Sequence, residues 1–174
     1  MSQTAVADHV RDLMSRDVKI AYLKGLQGYL WENGYKTGQL KAPLFPDVAP
    51  KFDSWKAEGV TIMIYSSGSV PAQKLLFRHT NGDPVSDLTP LIADYFDTVN
   101  AGLKQEAASY EKILAQHPEH PVASEWLFLS DNVKEVEAAK QAGMQSVVVD
   151  RPGNAELSGE ARAQHRVIKS FDEL

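Results

Sequence analysis

Three serines stand at the end of a short apolar run and are the first residues of the chain that could bind an anion. The run covers residues 61–65, and Ser66, Ser67 and Ser69 follow it. A helical pattern begins directly after them, so these hydroxyls are expected beside a helix N-terminus, where free backbone N–H groups favour a phosphate. The alternative is structural: Ser69 caps the helix and Pro71 occupies its first turn.

An acidic residue ends a second apolar run and could bind a metal ion. Asp131 follows residues 125–130, and Glu135 lies about one helical turn further along the chain. Oxygen ligands grouped in this way suit Mg²⁺, which takes one or two carboxylates together with water and substrate phosphate. The alternative is that Asp131 caps the next helix, with Glu135 as an acid in its first turn.

Two basic residues lie close to predicted strand ends. Lys104 is predicted to begin the helix over 104–116. Because a cation interacts slightly unfavourably with the helix dipole at that end, its presence there is a mild indication that the lysine binds an anion. Arg151, together with Asn154, follows the strand predicted over 146–150 and could face the same edge. An ordinary surface lysine and a simple turn explain these residues as well.

The composition of the 174 residues excludes several classes of protein. The formal net charge is −5 and no basic cluster occurs, which argues against nucleic-acid binding. There are no cysteines, so disulfides, thiol catalysis and cysteine-ligated metals are excluded. No apolar run reaches the roughly 18–20 residues of a membrane span, and the first residues do not predict a secretory signal. The simplest compartment is cytosolic.

Alternating strands and helices must position these residues. The predicted strands cover 60–65, 125–132 and 146–150, and the predicted helices cover 48–59, 71–79, 104–116 and 133–142. The segment 88–98 fits either type, and 81–84 predicts a turn. The alternation indicates an α/β protein with a largely parallel sheet, helices on both faces and ligands at the carboxyl ends of its strands. The helical region 3–33 precedes every strand and is expected to lie outside the sheet.

The motifs, taken in order along the chain, resemble those of one enzyme family. They are Tyr-Ser-Ser-Gly-Ser-Val at 65–70, Ala-Gln-Lys-Leu-Leu-Phe at 72–77, Lys104, Phe-Leu-Ser-Asp at 128–131 and Arg-Pro-Gly-Asn-Ala at 151–155, with further matching blocks at 26–31 and 38–43. This set resembles the enolase-phosphatase of methionine salvage, a member of the haloacid dehalogenase superfamily. The resemblance extends from about residue 15 to the C-terminus.

The resemblance implies a fold and a set of site residues. It implies a haloacid-dehalogenase-like Rossmannoid parallel sheet, with part of a helical cap at residues 1–40 and the core domain at 41–174. By this likeness Ser66 and Ser67 hold the substrate phosphate and Lys104 balances charge at the site. Asp131 binds one Mg²⁺ per chain, and Glu135 supports that metal.

The chain departs from the family pattern in one respect. The family opens with a strand that ends in Asp-x-Glu-Gly-Thr, whose first Asp attacks phosphorus, and this sequence is absent here. The resemblance therefore implies that the central first strand and the catalytic nucleophile are missing from this chain.

The function implied by the resemblance is that of the complete family. Its members enolise 2,3-diketo-5-methylthiopentyl-1-phosphate and then dephosphorylate it with Mg²⁺. This chain is expected to be inactive alone, and the alternative is a non-catalytic phosphate-binding or partner-binding protein derived from that fold. The expected partner is a small phosphorylated molecule, with no nucleic acid and no membrane. The expected compartment of this chain is the cytoplasm or the nucleus. Members of the family are monomers, but this chain could self-associate through the gap in its sheet.

Overall fold

The structure, a computed structural model, describes residues 3–16, 18, 20–82 and 85–174. The chain divides into two compact units, Met1–Lys41 and Ala42–Leu174. Positions 17 and 19 of the predicted helical region 3–33 lie outside the described residues. So do Asp83 and Pro84 of the predicted turn.

The first unit contains two helices, α1 (Gln3–Ser15) and α2 (Ala21–Lys36). The sequence places the end of α2 at Asn33-Gly34, which is wrong, because the helix continues to Lys36. Gly34 instead allows the side chain of Leu40 to pack closely against the helix. A Cβ at position 34 would lie only 2.5 Å from Leu40 Cδ1.

The second unit alternates strands with helices in the predicted way. It contains α3 (Val48–Ala57), β1 (Ile62–Tyr65), α4 (Val70–Arg78), β2 (Ile92–Phe96), α5 (Ala107–Gln116), β3 (Leu127–Ser130), α6 (Val133–Gln141), β4 (Gln145–Val149), α7 (Gly159–Gln164) and β5 (Val167–Ile168). Short 3₁₀ turns lie at Thr89–Leu91, Ala123–Glu125 and Phe171–Glu173. Gly59 and Gly143 follow α3 and α6 with φ of 84° and 88°, a left-handed conformation that ends a helix most easily at glycine.

Every strand pair of the second unit is parallel, as predicted, but the strands form two sheets. One sheet pairs β1 with β2, and the other has the order β3–β4–β5. Within the described residues no pairing joins β1 to β3. Strands β1 and β3 therefore each have one edge without a strand partner among the described residues.

One local prediction is wrong, one ambiguous segment is resolved, and two short elements were not predicted. Helix α5 begins at Ala107 and not at Lys104, so Lys104 lies in the preceding loop and the helix-dipole argument for it is wrong. The ambiguous segment 88–98 contains a 3₁₀ turn followed by β2. The sequence also gave no indication of α7 and β5, which are only six and two residues long.

The core of the second unit consists of apolar side chains between the sheets and their helices. Phe52, Ile62, Leu88 and Ile92 form one buried cluster, and Val147 with Val149 and Ile168 forms another, at the second sheet. Tyr110 is fully buried among Ala138, Ala139 and Met144. In the part of the chain that the structure describes, no helix is long and apolar enough to cross a membrane.

Candidate functional site

Ser66 is held rigidly at the carboxyl end of β1. Its N–H donates to the carbonyl oxygen of Phe96 at 3.0 Å, and its Oγ accepts from the N–H of Gly68 at 3.1 Å. Because that Oγ accepts here, its own proton remains available for a ligand oxygen. Ser67 is exposed, and its hydroxyl makes no hydrogen bond within the described residues. Both hydroxyls can therefore contribute to an anion site.

The N-terminus of α4 is capped by Asp97 and not by Ser69. The Ser69 side chain makes no capping hydrogen bond, whereas Asp97 Oδ2 accepts from the N–H of Val70 at 2.9 Å. Asp97 follows β2, is buried, and also accepts from the N–H groups of Val99 and Asn100. The N–H groups of Val70, Asn100 and Val99, in that order of strength, lower the pKa of Asp97. Ser69 does occupy the N-cap position with Pro71 in the first turn, as the alternative predicted, but its side chain does not cap the helix.

A second residue that sequence analysis missed, Gln73, holds the serine loop against β2. Its buried Nε2 donates to the carbonyl oxygens of Gly68 at 2.7 Å and Phe96 at 2.8 Å. A polar residue on the inner face of an amphipathic helix is the sequence signal for such a role. Because both bonds reach backbone atoms, the loop that carries Ser66 and Ser67 is preorganised.

Lys104 lies between the ends of the two sheets. Its Nζ is 2.6 Å from Glu135 Oε2 on α6 and 6.0 Å from the ring centroid of Tyr65 at the end of β1. The hydroxyl of Tyr110 donates to the Lys104 carbonyl oxygen at 2.6 Å and fixes the loop backbone. The lysine side chain is 22% exposed, so the ammonium group remains accessible to a ligand.

Glu135 is a partner of Lys104 and Ser130. Its Oε2 accepts from Ser130 Oγ at 2.7 Å as well as pairing with the lysine, and the residue is buried. The helix α6 thereby carries a carboxylate that holds the cation in place. The expected support of a metal by Glu135 stays a prediction.

Asp131 is exposed beyond the end of β3 and contacts the turn that follows β4. Its Oδ2 accepts from Asn154 Nδ2 at 2.9 Å, and Asn154 Oδ1 accepts from the N–H of Arg151 at 2.6 Å. The cap of α6 is Asn132, whose Oδ1 accepts from the N–H of Lys134 at 3.0 Å. The capping alternative for Asp131 is therefore wrong, and its second carboxylate oxygen can reach a ligand.

The side chain of Arg151 has a structural partner away from Asp131. It pairs with Asp47, whose Oδ2 also accepts from the N–H of Phe171 at 2.7 Å and from Ser170 Oγ at 3.1 Å. Its guanidinium lies over the rings of Phe45 and Phe171. Burial would raise the pKa of Asp47, but these hydrogen bonds outweigh it and lower the pKa to about 2.

Few metal-ligating groups lie together in the part of the chain that the structure describes. Within the described residues no group of three histidine, aspartate, glutamate or cysteine side chains could hold a metal ion. Asp131 fits one Mg²⁺ ligand position as an exposed carboxylate at a strand end, and Asn154 is already committed to Arg151 through its oxygen. This donor set suits a cation that takes most of its ligands from water and substrate.

Comparison with curated proteins decides the family. The chain is 75% identical to Enolase-phosphatase E1 of Podospora anserina over 173 residues, and 72% identical to the protein of the same name in Neurospora crassa over 174 residues. Each match covers 99% of this chain and 74% of the relative. The chain belongs to the enolase-phosphatase E1 family. No protein-family model matches it.

Solved structures confirm the haloacid-dehalogenase-like fold of this enolase-phosphatase chain. The UTR4 protein of Saccharomyces cerevisiae is similar with a TM-score of 0.86 and 39% identity, over 99% of this chain and 76% of the yeast one. An L-2-haloacid dehalogenase is similar in fold, with a TM-score of 0.57 over 85% of this chain and 59% of its own. At 16% identity that second likeness shows the fold alone.

Proposed function

We propose that this chain forms the phosphate- and metal-binding part of an enolase-phosphatase of methionine salvage, whose substrate is 2,3-diketo-5-methylthiopentyl-1-phosphate. The family relationship and one observation support this: Lys104 lies between Tyr65, the residue before the serines, and Glu135, which accepts from Ser130, the residue before Asp131. A cation and two hydroxyls at neighbouring strand ends are the groups that bind a phosphate. The arrangement of Lys104, Ser66 and Ser67 therefore supports the proposed phosphate site.

Each proposed residue has a separate task in holding the phosphorylated substrate. The hydroxyls of Ser66 and Ser67 donate to phosphate oxygens, and Lys104 offers its two N–H groups that are not used by Glu135. Asp131 holds one Mg²⁺, which supplies charge neutralisation at the phosphoryl oxygens. The helical unit 1–41 is proposed as part of a cap, and the cytoplasm or nucleus as the compartment.

We propose that the chain alone binds the phosphate ester but does not hydrolyse it. Phosphate-monoester hydrolysis needs rate enhancements of up to about 10²¹, and binding groups alone do not replace a carboxylate nucleophile. Two aspartates near the site have other partners: Asp97 accepts three backbone N–H groups, and Asp131 accepts from Asn154. Among the described residues the carboxylate paired with Lys104 is that of Glu135, whose charge the lysine balances and which also accepts from Ser130.

The test is phosphate release from the diketo phosphate with Mg²⁺. We expect negligible turnover by residues 1–174, and strong turnover by a version extended upstream with a strand that ends in Asp-x-Glu-Gly-Thr. Lys104→Ala in the extended version should abolish most of the activity, whereas Lys134→Ala on the exposed face of α6 should not. Comparable turnover by the short and extended chains would show that an aspartate within residues 1–174 acts as the nucleophile.

The alternative, a phosphate-binding or partner-binding protein without catalytic activity in any form, makes a different prediction. In that case the extended version would also be inactive, while phosphate would still protect the chain against thermal unfolding.

A further inference from the structure

The turn that follows β4 fixes both the backbone and the side chain of Asn154. Residues 151–154 are Arg-Pro-Gly-Asn, and Gly153 has a φ of 96°. A proline followed by a residue of positive φ is typical of a type II turn. The N–H of Asn154 donates to the carbonyl oxygen of Arg151 at 3.0 Å, and the N–H of Arg151 donates to Asn154 Oδ1 at 2.6 Å. The two end residues of the turn therefore hold each other.

This turn is anchored in the second unit through the side chain of Arg151. The guanidinium pairs with Asp47, and the two side chains are only 11% and 9% exposed. It also lies 4.7 Å from the ring centroid of Phe45 and 5.0 Å from that of Phe171. A planar guanidinium that is paired and stacked in this way has little freedom to move. Asn154 thus projects from a rigid base.

The chemistry of its two partners determines which way the Asn154 amide faces. Its Oδ1 meets the N–H of Arg151, which requires an acceptor, and its Nδ2 meets Asp131 Oδ2 at 2.9 Å, which requires a donor. The reverse orientation would place two donors together at Arg151 and two acceptors together at Asp131. The amide therefore presents an N–H to the carboxylate.

The hydrogen bond from Asn154 makes the two oxygens of Asp131 unequal. Oδ2 accepts from the amide, whereas Oδ1 has no hydrogen bond among the described residues. The amide hydrogen carries a positive partial charge, which disfavours a cation close to Oδ2. Because the rest of the Asp131 side chain is exposed, this one bond also sets the direction of the carboxylate. A cation is therefore offered a single, oriented oxygen.

Magnesium and calcium ions respond differently to such a carboxylate. Mg²⁺ requires near-ideal octahedral geometry, keeps several waters and uses few protein oxygens. Ca²⁺ takes about six to eight oxygens in a flexible geometry, and a carboxylate can supply it with both oxygens at once. One oriented oxygen suits Mg²⁺, and a carboxylate that is free to turn and to offer both oxygens suits Ca²⁺ better.

We infer that Asn154 is a positioning residue that makes Asp131 selective for Mg²⁺ over Ca²⁺. Its amide occupies Oδ2, which leaves Oδ1 for the cation. The inference rests on the proposed function, in which Asp131 holds one Mg²⁺, and adds to it the residue that determines which divalent cation is preferred. Asn154 acts through Asp131 and is not itself a ligand, because its oxygen is used by Arg151.

The experiment measures the affinities of the full chain for Mg²⁺ and Ca²⁺ from the backbone amide NMR signals of residues 130–132, at constant ionic strength. In Asn154→Ser the hydroxyl can still accept from the N–H of Arg151, but the amide donor to Asp131 is lost. Loss of a residue that orients a ligand typically weakens metal binding by about 10–100-fold. Mg²⁺ affinity should therefore fall about tenfold, while Ca²⁺ affinity should stay the same or increase.

A second variant keeps the turn and changes only the atom that faces Asp131. Asn154→Asp retains an oxygen for the N–H of Arg151 and replaces the amide nitrogen by a carboxylate oxygen. The additional oxygen should favour Ca²⁺, which uses more oxygen ligands, so the ratio of Mg²⁺ to Ca²⁺ affinity should again fall. The matched control is Asn33→Ala on the exposed surface of α2, which should leave both affinities unchanged. A residue with only a structural role would weaken both cations equally.

Two results would overturn the inference, and they differ in what they say about the metal site. If Asp131→Asn weakened the binding of both cations but both Asn154 variants kept the wild-type ratio of affinities, the metal site would stand and Asn154 would have no part in its selectivity. If Asp131→Asn left Mg²⁺ binding unchanged, the proposed metal site would be wrong, and the role of Asn154 would be wrong with it.

Discussion

The ammonium nitrogen of Lys104 lies 2.6 Å from Oε2 of Glu135, and this ion pair connects the loop after β2 to helix α6. The lysine is 22% exposed and the glutamate 11% exposed, so the pair is shielded from water on most sides. Removing one member of a shielded pair leaves an uncompensated charge, whereas an exposed pair contributes little. The position of the cation at the strand ends therefore depends on Glu135 as much as on the loop.

Replacing Lys104 by Ala should remove the thermal protection that phosphate gives to this chain. The wild type should show a melting temperature that increases with phosphate concentration, because phosphate binds the folded state alone. The exposed Lys134 is the matched control, and Lys134→Ala should retain the full increase. The measurement is thermal unfolding with phosphate at constant ionic strength.

The double variant Lys104→Ala with Glu135→Gln separates binding from stability. The neutral glutamine can still accept from Ser130, so much of the stability lost in the single variant should return. The phosphate effect should not return. If phosphate raised the melting temperature of Lys104→Ala as much as that of the wild type, Lys104 would have no role in phosphate binding.

Replacing Asp131 by Asn should weaken Mg²⁺ binding that is already weak. Within the described part of the chain Asp131 belongs to no group of three ligating side chains that could hold a metal ion, and Mg²⁺ binds mainly through carboxylates and water. Isothermal titration with Mg²⁺ should give millimolar affinity for the wild type, in keeping with a single carboxylate, and less for the variant. Asp53→Asn, on the exposed face of α3, should have no effect. Micromolar binding that survives Asp131→Asn would place the ligands elsewhere.

Asp47 should make the stability of the chain sensitive to acid. Its pKa of about 2 in the folded chain lies below the ordinary value of 3.8, so the ionised form stabilises the fold. The difference corresponds to about 2 kcal/mol at neutral pH, and the side chain is only 9% exposed, so little is lost to screening. This stabilisation is complete above about pH 4 and is lost as the pH falls towards 2.

The Asp47→Asn variant tests this dependence by urea denaturation at several pH values. It should be less stable than the wild type by at least about 2 kcal/mol at pH 7, and the difference should shrink by about that amount by pH 2. Asp53→Asn should show no comparable trend. A difference that stays constant from pH 7 to pH 2 would mean that the carboxylate charge contributes nothing.

Much of the second unit could be predicted from the sequence because its strands are short apolar runs that end in polar residues. The runs at 60–65, 125–132 and 146–150 correspond to β1, β3 and β4 in the structure. The polar residues that follow the first two runs correctly predicted that Ser66 and Asp131 lie at strand ends. The spacing of apolar residues identifies a helix or strand that is long enough to show a regular pattern of buried positions. It does not identify elements as short as α7 and β5.

Local capping was predicted poorly because the partners are distant in sequence. Val70 is capped by Asp97, 27 residues further along the chain, while the neighbouring Ser69 makes no cap. Similarly, Asp47 is bound by Arg151 and by the backbone of Phe171, more than a hundred residues away. A single sequence gives the chemical type of such residues, but only the fold brings the partners together.

Gly102 holds the loop of Lys104 in place, and replacing it by Ala should disturb both stability and phosphate binding. Its carbonyl oxygen accepts from the Tyr65 hydroxyl at 2.8 Å, its φ is 128°, and an added Cβ would collide with Ser109 Oγ. Backbone strain in an L-residue at such a φ costs about 1–3 kcal/mol, and overpacking adds about 1–3 kcal/mol.

Gly153→Ala is the control for this prediction, because Gly153 has a φ of 96° but no atom within 4 Å of an added Cβ. Gly153→Ala should therefore introduce backbone strain without a steric collision. Urea denaturation should show Gly102→Ala to be the less stable of the two variants by at least about 1 kcal/mol. Adding Ser109→Ala should recover part of that difference, since it removes the colliding oxygen. Phosphate should protect Gly102→Ala less than Gly153→Ala, because the backbone shift that relieves the collision also moves Lys104. Equal stability and equal phosphate protection in the two variants would show that the close approach of Gly102 to Ser109 does not position the lysine.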